Sequence, residues 1–545
     1  MPNAIILSLA ALILVGAIGA YFWYCTRNGI CPIPHRLLTS LGFRHKSVGR
    51  SIAPAQQTVP LAVSDPNRAA LLRDLQGNIL AGHGRDNAVH LFIAFTCETF
   101  DARHWLRETA ESFVVSAKSQ LQAASAFRQK GVNGGIFGHI SLSAAGYRAL
   151  GFNADELPTG LNPQKRPKGQ GYSDVFAAGM KSRQRLLMDP PPANWDSGFQ
   201  SEIHAVVILA ADSAADVRNA DDYVVQSLYG FGKVVARETG LGLTRLLNAN
   251  DPTSVAHVEH FGYVDGRSQP LFLEEQVEAE KSAGGTSIYD PSAPLSLVLV
   301  RDPLGKDESS CGSFLVFRKL EQNVRGWNRA VAALAQELGV KQELAGAMSM
   351  GRFKDGTPVV AQGTSGRTDV PNDFDFSSDP SGLRCPFQAH IRKTNPRGEA
   401  VGVAGDKTLE SERGHRIARR GIPYGGRLTT SSVPEEQPEG GVGLLFMCYQ
   451  SDIWEQFEFI QRRWSNNPYF LQPAKSKAPN YGETGLDPVI GQTSLGLRNA
   501  PRPAANWPKG WGKETTKVDA QMANFVTLKG GEYFFSPSIS FLESL

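Results

Sequence analysis

Cysteine is scarce and poorly spaced for chemistry. The 545 residues hold six, and Cys97, Cys311, Cys385 and Cys448 lie far apart, with no C-x-x-C and no C-x-x-C-H. This excludes a zinc ribbon and the ordinary covalent attachment of a c-type haem, and agrees with a reducing compartment. A basic surplus is missing as well. Lys and Arg total 56 against 53 Asp and Glu, a formal charge of +3. Five of the cations (Arg27, Arg36, Arg44, Lys46, Arg50) fall in residues 1–64, which contain no Asp or Glu, so the remainder is at −2. The main body therefore has no electrostatic grip for nucleic acid. There is no Walker loop, no G-x-S-x-G elbow, no H-E-x-x-H, no low-complexity tract and no short solenoid repeat.

What remains is globular in character: 41% hydrophobic and 20% charged residues, with length for two large folding units or three to four smaller ones. Residues Ala4 to Tyr24 form an uncharged run ending in Tyr21, Phe22, Trp23 and Tyr24. As a helix it is about 30 Å long, enough to cross a bilayer core. A cleaved secretory signal is the competing reading. The charged n-region is missing, the run is longer than an h-region and the cations follow it, so a retained transmembrane helix is expected. The positive-inside rule then puts the large C-terminal body in the cytoplasm, with the lipid bilayer as a partner. Cys25 and Cys31 flank this segment, as plain interfacial cysteines or as acylation sites. Residues 25–66, with Pro54, Pro60 and Pro66, read as a juxtamembrane segment and linker, and the folded body is expected from Asn67.

Inside the body an apolar strand followed by an amphipathic helix occurs four times. The strands are His90–Thr96, His204–Ala210, Ser313–Arg318 and Gly443–Tyr449; the helices are Ala102–Phe113, Ala214–Leu228, Val324–Leu338 and Ile453–Trp464. Two units per half predict a duplicated α+β layout of two split β-α-β sheets, over residues 67–290 and 291–545. Loop-rich stretches at Leu273–Pro294, Asp355–Asp379, Asn395–Glu412, Thr429–Gly441 and Gln472–Trp511 are of a length that wraps a sizeable ligand.

Three segments carry candidate chemistry. In FGYVDGRSQP, Gly262 and Gly266 bracket Asp265, either to bring a short carboxylate against a ligand or simply to make an Asp-Gly turn. In CPFQAHIRKTNPR, His390 is either a metal ligand beside the carboxylate-seeking cations Arg392, Lys393 and Arg397, or a structural histidine beside a solvated basic strip. In HRIARRGIPYG, strand alternation puts Arg416 and Arg420 on one face and Arg419 on the other. An inward arginine there needs an anion or a catalytic task; an outward set is a protective exposed edge.

Taken together, LQGNILAGHGR (Leu75–Arg85), FGYVDGRSQP, FLVFRKLEQ (Phe314–Gln322), CPFQAHIRKTNPR, RRGIPYG and GLLFMCYQSDIWEQFEFIQRRW (Gly443–Trp464) resemble the dye-decolourising peroxidase family, in order and over nearly the whole body. The resemblance implies two ferredoxin-like domains, arranged like a dimeric α+β barrel. It implies non-covalent haem b held mainly by the second domain, and oxidation of bulky aromatic substrates by H2O2 through a ferryl intermediate. By the same resemblance His390 is the proximal iron ligand, Asp265 the distal acid and Arg419 the distal cation, with Asp487 in GLDPVIG behind the ligand. Arg419 is taken over Arg420 because it stands two residues before GIPYG. Arg392 is expected to meet the propionates. The alternative function is a membrane-anchored haem-binding, delivery or sensing protein with little turnover. The sequence leaves the natural reductant and the oligomeric state open.

Overall fold

The four apolar runs are the central strands of two four-stranded antiparallel sheets. The computed structural model describes residues 60–545 apart from 161–174, 248–250, 252–253, 367–371, 402–407, 427–432, 472–482, 494–495, 497–501 and 514–516. The transmembrane helix expected at residues 4–24, the flanking Cys25 and Cys31, and the juxtamembrane stretch to residue 59 lie outside the described residues. Among those described, no helix is long and apolar enough to cross a membrane.

In the first half, β1 (Asn87–Phe95), β2 (Phe137–Ser143), β3 (Ala205–Ala211) and β4 (Gly232–Leu241) pair in the order β2-β3-β1-β4. In the second, β5 (Cys311–Gln322), β6 (Ile422–Tyr424), β7 (Gly443–Gln450) and β8 (Val526–Ser536) pair in the order β8-β5-β7-β6. Each half is thus a split β-α-β sheet with its first and third strands in the middle, the duplication that the pattern predicts. The edges join. Phe534 and Phe535 of β8 pair with Ser143 and Leu142 of β2, and Tyr424 of β6 pairs with Gly240 of β4. With β5 on β7, the eight strands close into an antiparallel barrel, which leaves no bare edge between the halves.

Alternation along the strands sorts residues between the barrel interior and its outer faces. Phe317 of β5 points inward and meets Phe92 and His90 of β1, at ring centroid distances of 4.6 and 5.8 Å. His90 and His139 are wholly buried inside, and burial pushes both down to about 3, so they are neutral core histidines. Arg318, Leu320 and Gln322, the other face of β5, line a large outer cavity together with Leu444 and Phe446 of β7.

The helices follow as expected, α1 at Thr99–Phe113, α2 at Ala214–Ser227 and α3 at Val324–Leu338, with one exception. The fourth unit, expected as a helix over Ile453–Trp464, is a short turn at Phe457–Phe459 running into a π-helix at Ile460–Ser465. Polar side chains break its first turn: Asp452 Oδ1 accepts from the N–H groups of Trp454 and Glu455, while Gln456 Oε1 accepts from those of Ser451 and Asp452. Two other expectations need correcting. Leu273–Pro294 is not all loop, since Glu274–Ala283 is helical. The fold begins before Asn67: Leu61 is buried and its N–H donates to the Phe272 carbonyl, so apolar burial recruits the end of the presumed linker.

Candidate active site

The outer cavity encloses about 1610 Å³ of space, open solvent at its mouth included. His390, Asp265, Arg419 and Arg416 all line it, with apolar walls from Leu320, Met350, Phe446, Phe457, Ile460 and Val526.

His390 opens the short helix His390–Thr394. Its Nδ1 lies 2.8 Å from Asp487 Oδ2, and Asp487 is fully buried. The N–H groups of Val489 and Ile490 donate to Asp487 Oδ1 at 2.8 and 3.1 Å. Burial pushes the Asp487 carboxyl up, but His390 and these two N–H groups outweigh it and hold the group below the usual carboxylate range. An anionic Asp487 takes the Nδ1 proton as a hydrogen bond, which leaves Nε2 as the lone-pair nitrogen of the ring.

Asp265 sits in a turn built by Glu259, whose half-buried carboxylate accepts from the N–H groups of Phe261 and Tyr263 at 2.8 and 3.0 Å. Gly262 and Gly266, with φ of 88° and 82°, supply the left-handed backbone this turn requires. Arg419 Nη1 donates to Asp265 Oδ1 at 2.7 Å, and Gly266 N–H donates to the same oxygen at 2.7 Å. Oδ2 is left unengaged among the described residues. Burial raises the Asp265 carboxyl, but the Arg419 charge, the Gly266 N–H and His390 together hold it below the ordinary range. Arg419 is fixed in turn: Nη2 donates to the Arg267 carbonyl at 2.8 Å, and its backbone N–H donates to Gln269 Oε1 at 3.0 Å.

The neighbouring arginines depart from simple alternation. The strand is only Ala418–Arg419, too short to impose a two-residue period, so Arg416 and Arg419 both reach the cavity. Arg420 turns instead onto the carbonyls of Asn78 and Ile79, at 2.9 and 3.0 Å, and so ties the LQGNIL motif to the site. This segment is not a protective exposed edge, because Arg416 is buried with Nε and Nη2 on the Arg413 and Ser292 carbonyls.

The basic strip after His390 is not solvated either, and Arg392 is not available to propionates. Arg392 is fully buried, with Nη1 2.9 Å from Asp379 Oδ2 and Nε 2.7 Å from Glu399 Oε2. Lys393 donates to the carbonyls of Trp464 and Asn467. Arg397 packs 3.8 Å over Phe374 and donates to Ser268 and Asn372. The sequence reading missed Arg352, which lines the cavity and shares the Ser268 hydroxyl, Glu259, which shapes the Asp265 turn, and Gln269, which holds the Arg419 backbone. No local motif marks these residues; only their convergence does.

The arrangement is one imidazole with a free Nε2, cations for carboxylates, an apolar slot and a carboxylate–guanidinium pair. These residues fit a haem whose iron takes a histidine ligand.

Family models agree with this geometry. The DyP dimeric alpha+beta barrel domain matches residues 74–240, and the C-terminal Dyp-type peroxidase domain matches residues 285–471. Multifunctional dye peroxidase DyP2 of Amycolatopsis sp. is 42% identical over 486 residues, 88% of this chain and 96% of its own. Peroxidase 2 of Mycetinis scorodonius is 30% identical over 523 residues, 90% and 91% of the two chains. A solved structure of DyP2 from Amycolatopsis superposes with a TM-score of 0.80 at 40% identity, covering 90% of this chain and 100% of that one. A DyP-type peroxidase of Anabaena sp. gives 0.78 at 38% identity, covering 90% and 99%. With a matching barrel, matching domains along most of its length and such relatives, this chain belongs to the dye-decolourising peroxidase family and is an oxidoreductase acting on a peroxide.

Proposed function

We propose that this peroxidase holds haem b non-covalently in the outer cavity and uses H2O2 to oxidise bulky aromatic or dye-like substrates. His390 would give the iron its Nε2 lone pair, and Arg352 and Arg416, which line the cavity, would supply positive charge to balance the propionates. Among the described residues no group of three or more His, Cys, Asp or Glu is placed to hold a bare ion, so a single imidazole needs a macrocycle to complete an iron site. When bound, the haem supplies the iron that accepts oxidising equivalents from peroxide and passes them to the reductant.

The observation that carries this reading is the Asp265–Arg419 pair in the same cavity as His390. Asp265 takes a proton from the incoming peroxide on Oδ2 and returns it to the oxygen that leaves as water. Arg419, always charged, stabilises negative charge as the O–O bond breaks and holds Oδ1 so that Oδ2 faces the reaction. Asp487 keeps the Nδ1 proton and the ring orientation of His390. A storage, delivery or sensing protein has no use for the Asp265–Arg419 pair, which favours turnover. The relative DyP2 is named a multifunctional dye peroxidase, in keeping with a broad aromatic substrate range.

The same reading divides the body between residues 290 and 291 into two ferredoxin-like domains, with haem held mainly by the second. It also takes Ala4–Tyr24 as a transmembrane helix with the body on the cytoplasmic side. The support is the uncharged length of that run and the five cations that follow it. The test of function is direct: haem-loaded protein is mixed with H2O2 and an anthraquinone dye. Peroxide-dependent bleaching is expected; haem binding without bleaching would return the storage reading.

A further inference from the structure

Behind the His390–Asp487 pair lies a buried guanidinium that no step above uses. Arg502 is 4% exposed. Its Nη1 donates to the Asp487 carbonyl at 2.8 Å; its Nη2 donates to the Gly491 carbonyl and, at 3.0 Å, to Asn524 Oδ1. Its Nε is buried without a partner among the described residues. Burying a cation is costly, and leaving one of its donors idle adds to the cost. The position is therefore dictated by the carbonyls it holds, not by the needs of the arginine.

Those two carbonyls are the ends of one turn. Gly491 N–H donates back to the Asp487 carbonyl at 3.0 Å, and the N–H groups of Val489 and Ile490, between them, pin Asp487 Oδ1. The closure is tight: a Cβ at Gly491 would stand 2.6 Å from the Asp487 carbonyl oxygen. With Oδ1 pinned, Oδ2 is the oxygen left for His390 Nδ1 at 2.8 Å.

We infer that Arg502 is a positioning residue: its planar fork clamps the Asp487–Gly491 turn and so fixes the hydrogen bond from His390 to Asp487. Through that bond it sets how strongly the imidazole donates to iron. The inference rests on His390 being the axial ligand, as proposed above. Lysine would keep the charge but cannot bridge two carbonyls in a fixed plane, so Arg502→Lys separates the clamp from the charge.

The test uses haem-loaded wild type, Arg502→Lys, Arg502→Gln and Asp487→Asn. The iron–histidine stretching frequency of the ferrous enzyme is read by resonance Raman, alongside the Fe(III)/Fe(II) midpoint potential and the rate of haem transfer to apomyoglobin. Both Arg502 variants are expected to lower the stretching frequency and raise the potential, in the same direction as Asp487→Asn and by less. Haem should leave them roughly 10-fold faster. Should Arg502→Gln not fold, Arg502→Lys alone carries the test. A wild-type frequency and potential in Arg502→Lys, while Asp487→Asn shifts both, would overturn the clamp. A wild-type frequency in Asp487→Asn as well would instead bring down the assignment of His390 on which the clamp rests.

Discussion

Arg419 Nη1 lies 2.7 Å from Asp265 Oδ1, although the two residues are 154 positions apart in sequence. One oxygen of the carboxylate is thereby occupied, and the other has no partner among the described residues. The pair also keeps Asp265 ionised in acid, since the Arg419 charge is the largest of the influences that lower its pKa against burial.

The first prediction concerns that pair. Asp265→Asn and Arg419→Leu should each slow the stopped-flow reaction of the haem-loaded enzyme with H2O2 by about 100-fold or more. An unperturbed Asp titrates near pH ~4, and the folded value here is lower, so the wild-type rate should hold as pH falls until below that point. Arg419→Leu removes the main stabiliser of the anion and should move the acid limb of its residual rate upward in pH. An unmoved limb would mean that Asp265 is not the base.

Acid stability should report Asp487. Its folded pKa is depressed, so its contribution is complete above the unfolded value of about 4 and is lost as pH falls through the folded value. Thermal melts of the haem-free protein from about pH 6 to about pH 2 should show a steeper acid decline for wild type than for Asp487→Asn. Parallel curves would count against the linkage.

Arg392→Met leaves Asp379 and Glu399 facing each other in a buried site without their cation. Removing one partner of such a group costs about 3–5 kcal/mol. Urea unfolding of the variant should show a loss of that order. A loss below about 1 kcal/mol would place the group with exposed ion pairs in energetic terms.

Arg420→Ala should separate from Arg419→Leu. Its guanidinium holds the carbonyls of Asn78 and Ile79 and takes no part in the Asp265 pair. The variant should melt lower than wild type while its folded fraction reacts with H2O2 within a few-fold of the wild-type rate. A loss as deep as that of Arg419→Leu would mean that the two arginines act as one unit.

The N-terminal run predicts membrane attachment. Carbonate extraction should leave the full-length protein in the membrane pellet, and protease added to sealed right-side-out cells should spare the body. Release into the supernatant would remove the anchor; cleavage of the body from outside would reverse the orientation.

Several features of this enzyme were decided locally and are legible in the chain. A short, continuous apolar run is a strand buried on both faces, because neither set of side chains can stay in water, and four such runs with trailing helices specify the central strands of both sheets. The triple of Asp265, His390 and Arg419 was legible through motif resemblance, as was Asp487. Only the tertiary structure decided how these residues are placed. Barrel closure brings an Asp-Gly turn from the first half against a two-residue strand from the second, which no local period encodes. It also inverts the reading of the arginines. Arg392, expected at the propionates, and Arg420, left open between an inward arginine and an exposed edge, are consumed by carboxylates and carbonyls, because a long cation can be satisfied by whatever the fold places within reach. Arg502 is the extreme case: its role depends on two carbonyl oxygens that exist as a pair only once the Asp487–Gly491 turn has closed.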